Sequence, residues 1–119
     1  MTQLAVTAPS GLGPAYDGAQ DTALVELWLS TKTSLHTRRA YATEAARFLT
    51  AMSKPLAWVT LADLQSYAAS LDQRNLSAAS QNRAITSVKS LLSFAQDTGY
   101  LAFNVGAAVK LRPNRDNLS

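Results

Sequence analysis

No cysteine occurs among the 119 residues. That excludes a disulfide framework, a zinc centre built on thiolates and catalysis by a thiol. Histidine occurs once, as His36. No His-pair metal site can form from it, and any Ser-His-Asp triad would have to run through that one side chain. Charged residues make up only 16% of the chain against 47% hydrophobic ones. Even so, no apolar run approaches the ~18–20 residues a membrane span needs, so a soluble protein is expected. Val/Ile-rich alternation is scarce, which argues against a sheet. The length fits one domain, able to bury roughly two-thirds of its unfolded surface but too short for two cores.

The formal net charge is +3, and its distribution matters more than its size. Residues 1–31 carry Asp17, Asp21 and Glu26 and no basic residue, a balance of −3. Residues 32–54 set Lys32, Arg38, Arg39, Arg47 and Lys54 against Glu44, a balance of +4. Residues 55–78 set Asp63 and Asp72 against Arg74, a balance of −1. Residues 79–119 set Arg83, Lys89, Lys110, Arg112 and Arg115 against Asp97 and Asp116, a balance of +3. Two basic blocks are therefore separated by neutral or acidic chain. Brought together they make a positive face suited to a phosphate backbone; kept apart they are ordinary solvated helix faces.

Residues 1–20 are rich in Ala, Gly, Pro and Thr without a sustained period and read as a flexible leader, poor in the features of a signal peptide. From Asp21 onward the period is helical. Helix one is expected to open on Asp21 as N-cap and to run to about Thr31, burying Leu24, Leu27, Trp28 and Thr31. Helix two follows Ser34 to about Met52, with Tyr41, Ala45, Phe48, Leu49 and Met52 inward and Arg39, Thr43, Arg47 and Thr50 on the far side. Helix three has Thr60 as N-cap, Asp63 at the third position and Val59 placed to staple onto Leu64. Its inward line is Leu61, Leu64, Tyr67, Ala68 and Leu71. Helix four follows Ser77 and closes at Thr98 and Gly99, with Ala84, Ile85, Val88, Leu91, Leu92 and Ala95 as core. A short fifth helix is expected from Asn104, then a polar tail. Four amphipathic helices with short connections predict an all-α bundle.

Helices two and four start alike. Ser34-Leu35-His36-Thr37 and Ser77-Ala78-Ala79-Ser80 each place a capping serine three residues before a second hydroxyl, with Arg38 and Arg39, or Gln81, Asn82 and Arg83, following. Such ends offer free N–H donors and partial positive charge, and two side by side would clamp a phosphate. Arginine suits phosphate oxygens or the edge of guanine, and Gln and Asn suit adenine. Arg83, Ser87 and Ser90 fall at i, i+4 and i+7, a polar stripe narrow enough for a groove. The same pattern is also what plain capping motifs with solvated flanks produce.

The stretch SLHTRRAYATEAARF (residues 34–48) resembles the entry helix of the N-terminal core-binding domain of tyrosine recombinases, the phage-type integrases with their Xer-type and Cre-type relatives. The similarity continues through VTLADLQSYAASL (59–71) and NLSAASQNRAITSVKSLLSFAQDTGYL (75–101), covering about residues 21–113. The resemblance implies a SAM-like fold of two crossed helical hairpins plus a short C-terminal helix, gripping one face of duplex DNA with the second and fourth helices. On that reading Thr37, Arg39, Ala40 and Thr43 face DNA from helix two. Ser80, Arg83 and Ser87 do so from helix four, with Lys89 a flanking phosphate contact, and the chemistry of the two helix starts adds Arg38 and Gln81 to the expected DNA-binding residues. Val105 where the family usually has proline, Ser80 in place of threonine, Ala79 where some members are basic, and Phe94 interrupting the polar stripe are departures.

In such recombinases a separate C-terminal domain supplies an Arg, a Lys, a His-x-x-Arg stretch and a nucleophilic tyrosine. That constellation is missing from this sequence, and His36 reads as a polar surface residue. The resemblance therefore implies a leader at 1–20, a DNA-binding domain at 21–110 and the start of an interdomain linker at 111–119. The expected partners are double-stranded DNA, the recombinase catalytic domain and neighbouring protomers, with no membrane, metal or cofactor, in a nucleoid-associated cytoplasmic setting. The expected activity is DNA binding without cleavage. The main alternative is a helical protein–protein interaction module, for which Val105, Ala107, Ala108 and Val109 offer a surface. A helix-turn-helix regulator lacks its roughly 20-residue unit here, and a free-standing enzyme lacks a nucleophile–base–orienter set.

Overall fold

Four α-helices and two 3-10 turns account for the regular structure of this computed structural model, which describes residues 18–109. The helices are α1 (Ala19–Ser30), α2 (Leu35–Met52), α3 (Leu61–Gln73) and α4 (Ala78–Asp97). The turns are Leu56–Trp58, between α2 and α3, and Val105–Ala108, after α4. The all-α class expected from the periodicity holds, and the short fifth element after Asn104 is the second 3-10 turn. No helix among the described residues is long and apolar enough to cross a membrane. Most of the expected leader, and all of the expected linker at 111–119, lie outside the described residues. Ala19 and Gln20, assigned to the leader, instead open α1.

Three of the four helix starts are set by local chemistry. Ser34 accepts the Thr37 amide at 3.3 Å, and Ser77 accepts that of Ser80 at 3.1 Å. Thr60 and Asp63 form a reciprocal capping box, at 3.1 Å from the Asp63 amide to Thr60 Oγ1 and 2.9 Å from the Thr60 amide to Asp63 Oδ2. Lys54 donates to the same Asp63 oxygen at 2.7 Å, tying the α2–α3 connection to the start of α3. At the far end of α4, Gly99 takes φ +83°, the left-handed step that lets the chain reverse. The amides of Tyr100 and Leu101 then turn back to the Ala95 carbonyl.

The start of α1 differs from expectation. Gly18, at φ +78°, is the N-cap, and it offers no side chain. Asp21 lies inside the first turn and is buried. Its Oδ2 accepts the Leu56 amide at 2.9 Å, and its Oδ1 accepts the Tyr100 hydroxyl. One carboxylate thus joins α1, the first 3-10 turn and the segment leaving α4. A capping role was a local reading of Asp21; its partners are supplied by tertiary contact.

The inward lines of α2, α3 and α4 are largely as their spacing requires. Ala45, Phe48, Leu64, Tyr67 and Leu71 are buried, as are all six expected core positions of α4. Val59 and Leu64 are both buried at the start of α3. On α1, Leu24 and Trp28 are buried, but Leu27 is 55% exposed and Thr31 is exposed. The buried face is narrower than proposed, and Asp21 completes it at the i, i+3, i+7 spacing. Trp28 stacks on Tyr41 with ring centroids 5.2 Å apart, and its indole N–H donates to Ser90 Oγ at 3.2 Å. It therefore binds α1 to both α2 and α4. Gly106, in the second 3-10 turn, packs so closely on α4 that a Cβ there would meet Leu92 Cδ1 at 3.0 Å. Val109 is buried and Val105 packs against the core, leaving only Ala107 and Ala108 exposed from the expected partner surface.

Replacing Asp21 with Ala leaves the buried Leu56 amide without its acceptor, and should cost about 2–3 kcal/mol of stability in urea unfolding. A loss below about 0.5 kcal/mol would contradict the bracing role given to this carboxylate. The Lys54 ammonium and the Thr60 amide hold the Asp63 carboxyl below its ordinary value near 3.8. The folded protein thus binds this proton less readily than the unfolded chain. The resulting stability is present above about 3.8 and is lost as pH falls through the lower folded value. Asp63→Asn should accordingly melt below the wild type at pH 7, with the gap in Tm closing as acid protonates the wild-type carboxyl.

Candidate nucleic-acid interface

Arg39, Thr43 and Arg47 succeed one another at i, i+4 and i+8, and all three are exposed. They form one edge of α2, within an arc of about 80° at 3.6 residues per turn. Thr43 donates to the Arg39 carbonyl at 3.1 Å, which holds its side chain along that edge. Thr37 and Ala40 are half-buried; Ala40 adjoins that edge beside Arg47, whereas Thr37 lies further round the helix, beyond Glu44. Arg38 is turned the other way. Its Nη2 donates to the Lys32 carbonyl at 2.8 Å, closing the α1–α2 connection, and its Nε is buried. Lys32 in turn sits over the Trp28 and Tyr41 rings, at 5.3 and 4.9 Å from their centroids. His36 is exposed at the first turn of α2, as expected.

On α4 the outward surface is smaller than its sequence suggests. Arg83 is exposed and Ser80 half-buried, with Ser77 donating to the Ser80 hydroxyl at 3.1 Å. Gln81 is buried: its amide nitrogen donates to the Leu76 carbonyl at 2.8 Å and to Asp72 Oδ1 at 3.4 Å, bracing the α3–α4 turn. Ser87 is only 1% exposed and donates to the Arg83 carbonyl of its own helix at 2.8 Å. Ser90 is half-buried beneath Trp28. Lys89 donates to the Val109 carbonyl, securing the chain after the second 3-10 turn. The expected stripe of Arg83, Ser87 and Ser90 thus shrinks to Arg83, because α1, α2 and α3 all pack on α4 and the last 3-10 turn covers it further.

The two basic blocks do converge, through an acidic residue. Glu44, nearly buried, places Oε2 at 3.7 Å from both Arg47 Nη1 and Arg83 Nε. This contact lies midway along α2, so the two helices are joined along their sides and not by their capped ends. A hollow of about 130 Å³ opens at the junction, where Glu44, Arg47, Tyr67, Arg74, Ser80 and Arg83 meet. Arg74, counted in an acidic stretch of the sequence, is delivered there by the end of α3. Burial and the Glu44 carboxylate push the Tyr67 phenol above its ordinary value, while Arg74 and Arg47 pull it down. The arrangement is a cluster of exposed cationic fork donors, suited to oxyanions and to base edges.

Glu44, Arg47, Tyr67 and Arg74 were not among the expected interface residues. Arg47 follows from extending the Arg39–Thr43 step by one more turn. Glu44 is signalled as the lone acid within a basic block. Nothing local marks Arg74 or Tyr67, since only the packing of α3 against α2 and α4 brings them in.

Residues 24–99, well over half of the chain, match the family model of the phage integrase N-terminal SAM-like domain. The chain belongs to that family. No curated protein and no solved structure matches it at a significant level.

Proposed function

We propose that this chain is the DNA-binding domain of a site-specific tyrosine recombinase, clamping one face of duplex DNA at the recombination site. The observation that carries this reading is the exposed basic edge Arg39–Thr43–Arg47, joined through Glu44 to Arg83 on α4. Glu44 draws the two guanidinium groups toward one point where α2 meets α4, so both face the same side of the domain. Membership of the integrase N-terminal family supplies the context. Within the interface Arg39, Thr43, Arg47 and Arg83 make the direct contacts, and Thr37 and Ser80 support them. Gln81, Ser87, Arg38 and Lys89 act by holding the frame. The chain binds and orients DNA, and the cleavage and rejoining chemistry belongs to a separate catalytic domain of the recombinase. Its working location is with the DNA, in the nucleoid-associated cytoplasm.

A second reading rests on a different surface. Phe103 is 79% exposed and Trp58 41%, and Phe103 borders an apolar hollow of about 270 Å³ with Leu56, Leu101 and Val105. That surface suits protein contact, by a neighbouring protomer or by an unrelated partner.

The test is fluorescence anisotropy on duplex DNA across a salt series. Binding should weaken with a log–log slope of about −0.9 per phosphate contact. Arg39→Ala and Arg83→Ala should each cost about 1–3 kcal/mol where the side chain reads a base. Where it holds phosphate, binding should weaken equally on all sequences and the slope should shrink by about one unit. Ser87→Ala should bind as the wild type does. Negligible binding at low salt would contradict the DNA reading and favour the interaction module.

A further inference from the structure

We propose that the hollow at the junction of α2, α3 and the start of α4 is a receptor for a single phosphate group, ringed by Arg47, Arg74 and Arg83 and with Tyr67 in its wall. Tyr67 is only 5% exposed, and its hydroxyl oxygen is buried with no hydrogen-bond partner. A buried polar group left without a partner is costly, about 1–3 kcal/mol, and so marks a place where a partner is missing. Tyr67 lines the hollow and lies in the field of Glu44, Arg74 and Arg47. Three guanidinium groups against one carboxylate leave this hollow with an excess of two positive charges. The contacts of Glu44 with Arg47 and Arg83 are 3.7 Å long, whereas a committed charge-assisted hydrogen bond is about 2.7–2.9 Å. Their donors therefore remain available to a stronger acceptor. Among the described residues no carboxylate forms an ion pair with Arg74. The hollow is also larger than one water molecule requires.

Phosphate chemistry can come from the DNA backbone or from a free ion. The backbone source rests on the DNA-binding reading above; the receptor itself does not. On the backbone source, Arg74 adds a contact from α3 beside the Arg47 end of the α2 edge, fixing the register of the domain on the duplex.

The test titrates the full chain with sodium phosphate, against sodium chloride at matched ionic strength, following backbone amides and arginine Nε–Hε groups by NMR. Saturable shifts at Tyr67, Arg74, Ser80 and Arg83, specific to phosphate, are expected. Tyr67→Phe should weaken them several-fold while keeping or raising Tm, since it removes an unpartnered hydroxyl and no packing. Arg74→Ala, an exposed substitution, should abolish them. Chloride-like responses, or identical titration of wild type and Tyr67→Phe, would overturn the receptor. A parallel titration with duplex DNA identifies the source. A weaker Arg74→Ala complex with its salt slope reduced by about 0.9 assigns the backbone, whereas unchanged DNA binding beside phosphate-specific shifts assigns the free ion. If the wild type binds phosphate here but no DNA at all, the DNA reading fails and the receptor stands.

Discussion

The burial of α4 on most of its circumference is the constraint on which the rest of the structure depends. Gln81, Ala84, Ile85, Ser87, Val88, Leu91, Leu92 and Ala95 are all withdrawn from solvent, and every other helix touches this one. Trp28 reaches it from α1 through Ser90, and Glu44 from α2 through Arg83. Gly106 lies against Leu92 from the last turn. A helix so enclosed can present only a narrow edge to a ligand, which leaves Arg83 as its principal exposed cation. Small changes of volume along the buried lines are felt across the whole assembly, because close-packed interiors transmit strain.

The second organising feature is electrostatic. A net charge of +3 is modest for the DNA binding proposed, which has to rest on the placement of the charges. Glu44 lowers the total by one yet holds Arg47 and Arg83 together where two helices meet. Arg74 arrives at the same place from a segment whose own balance is acidic. Meanwhile Arg38, Lys54 and Lys89 are engaged within the protein, on Lys32, Asp63 and Val109 respectively. Counting basic residues therefore overstates the interface, and following their partners defines it.

How much was legible in the sequence follows the range of the interactions concerned. The starts of α2, α3 and α4 could be read because Ser34, Thr60 and Ser77 are satisfied by amides three residues away. The core line of α4 could be read because a 3.6-residue period reports burial directly. Asp21 could not, since its partners Leu56 and Tyr100 are 35 and 79 residues distant. Leu27 was misplaced because apolar identity at the margin of a helical stripe does not say on which side of the boundary a residue lies. Gln81 and Ser87 were assigned outward as polar residues, yet each satisfies its hydrogen bonds within the chain and is buried without penalty. The family was legible from the order of several weak motifs. Which of its polar side chains remain free for a ligand was decided by tertiary packing.

The proposed DNA binding is tested most directly by the surface at which duplex DNA meets this domain. Amide and side-chain chemical-shift mapping of the chain on addition of a short duplex at low salt reads that surface residue by residue. The expected result is a set of shifts confined to the Arg39–Thr43–Arg47 edge of α2, the first turns of α4 around Ser80 and Arg83, and Arg74. Shifts centred instead on Trp58, Phe103 and the apolar hollow beside them, or no shifts at all, would contradict it.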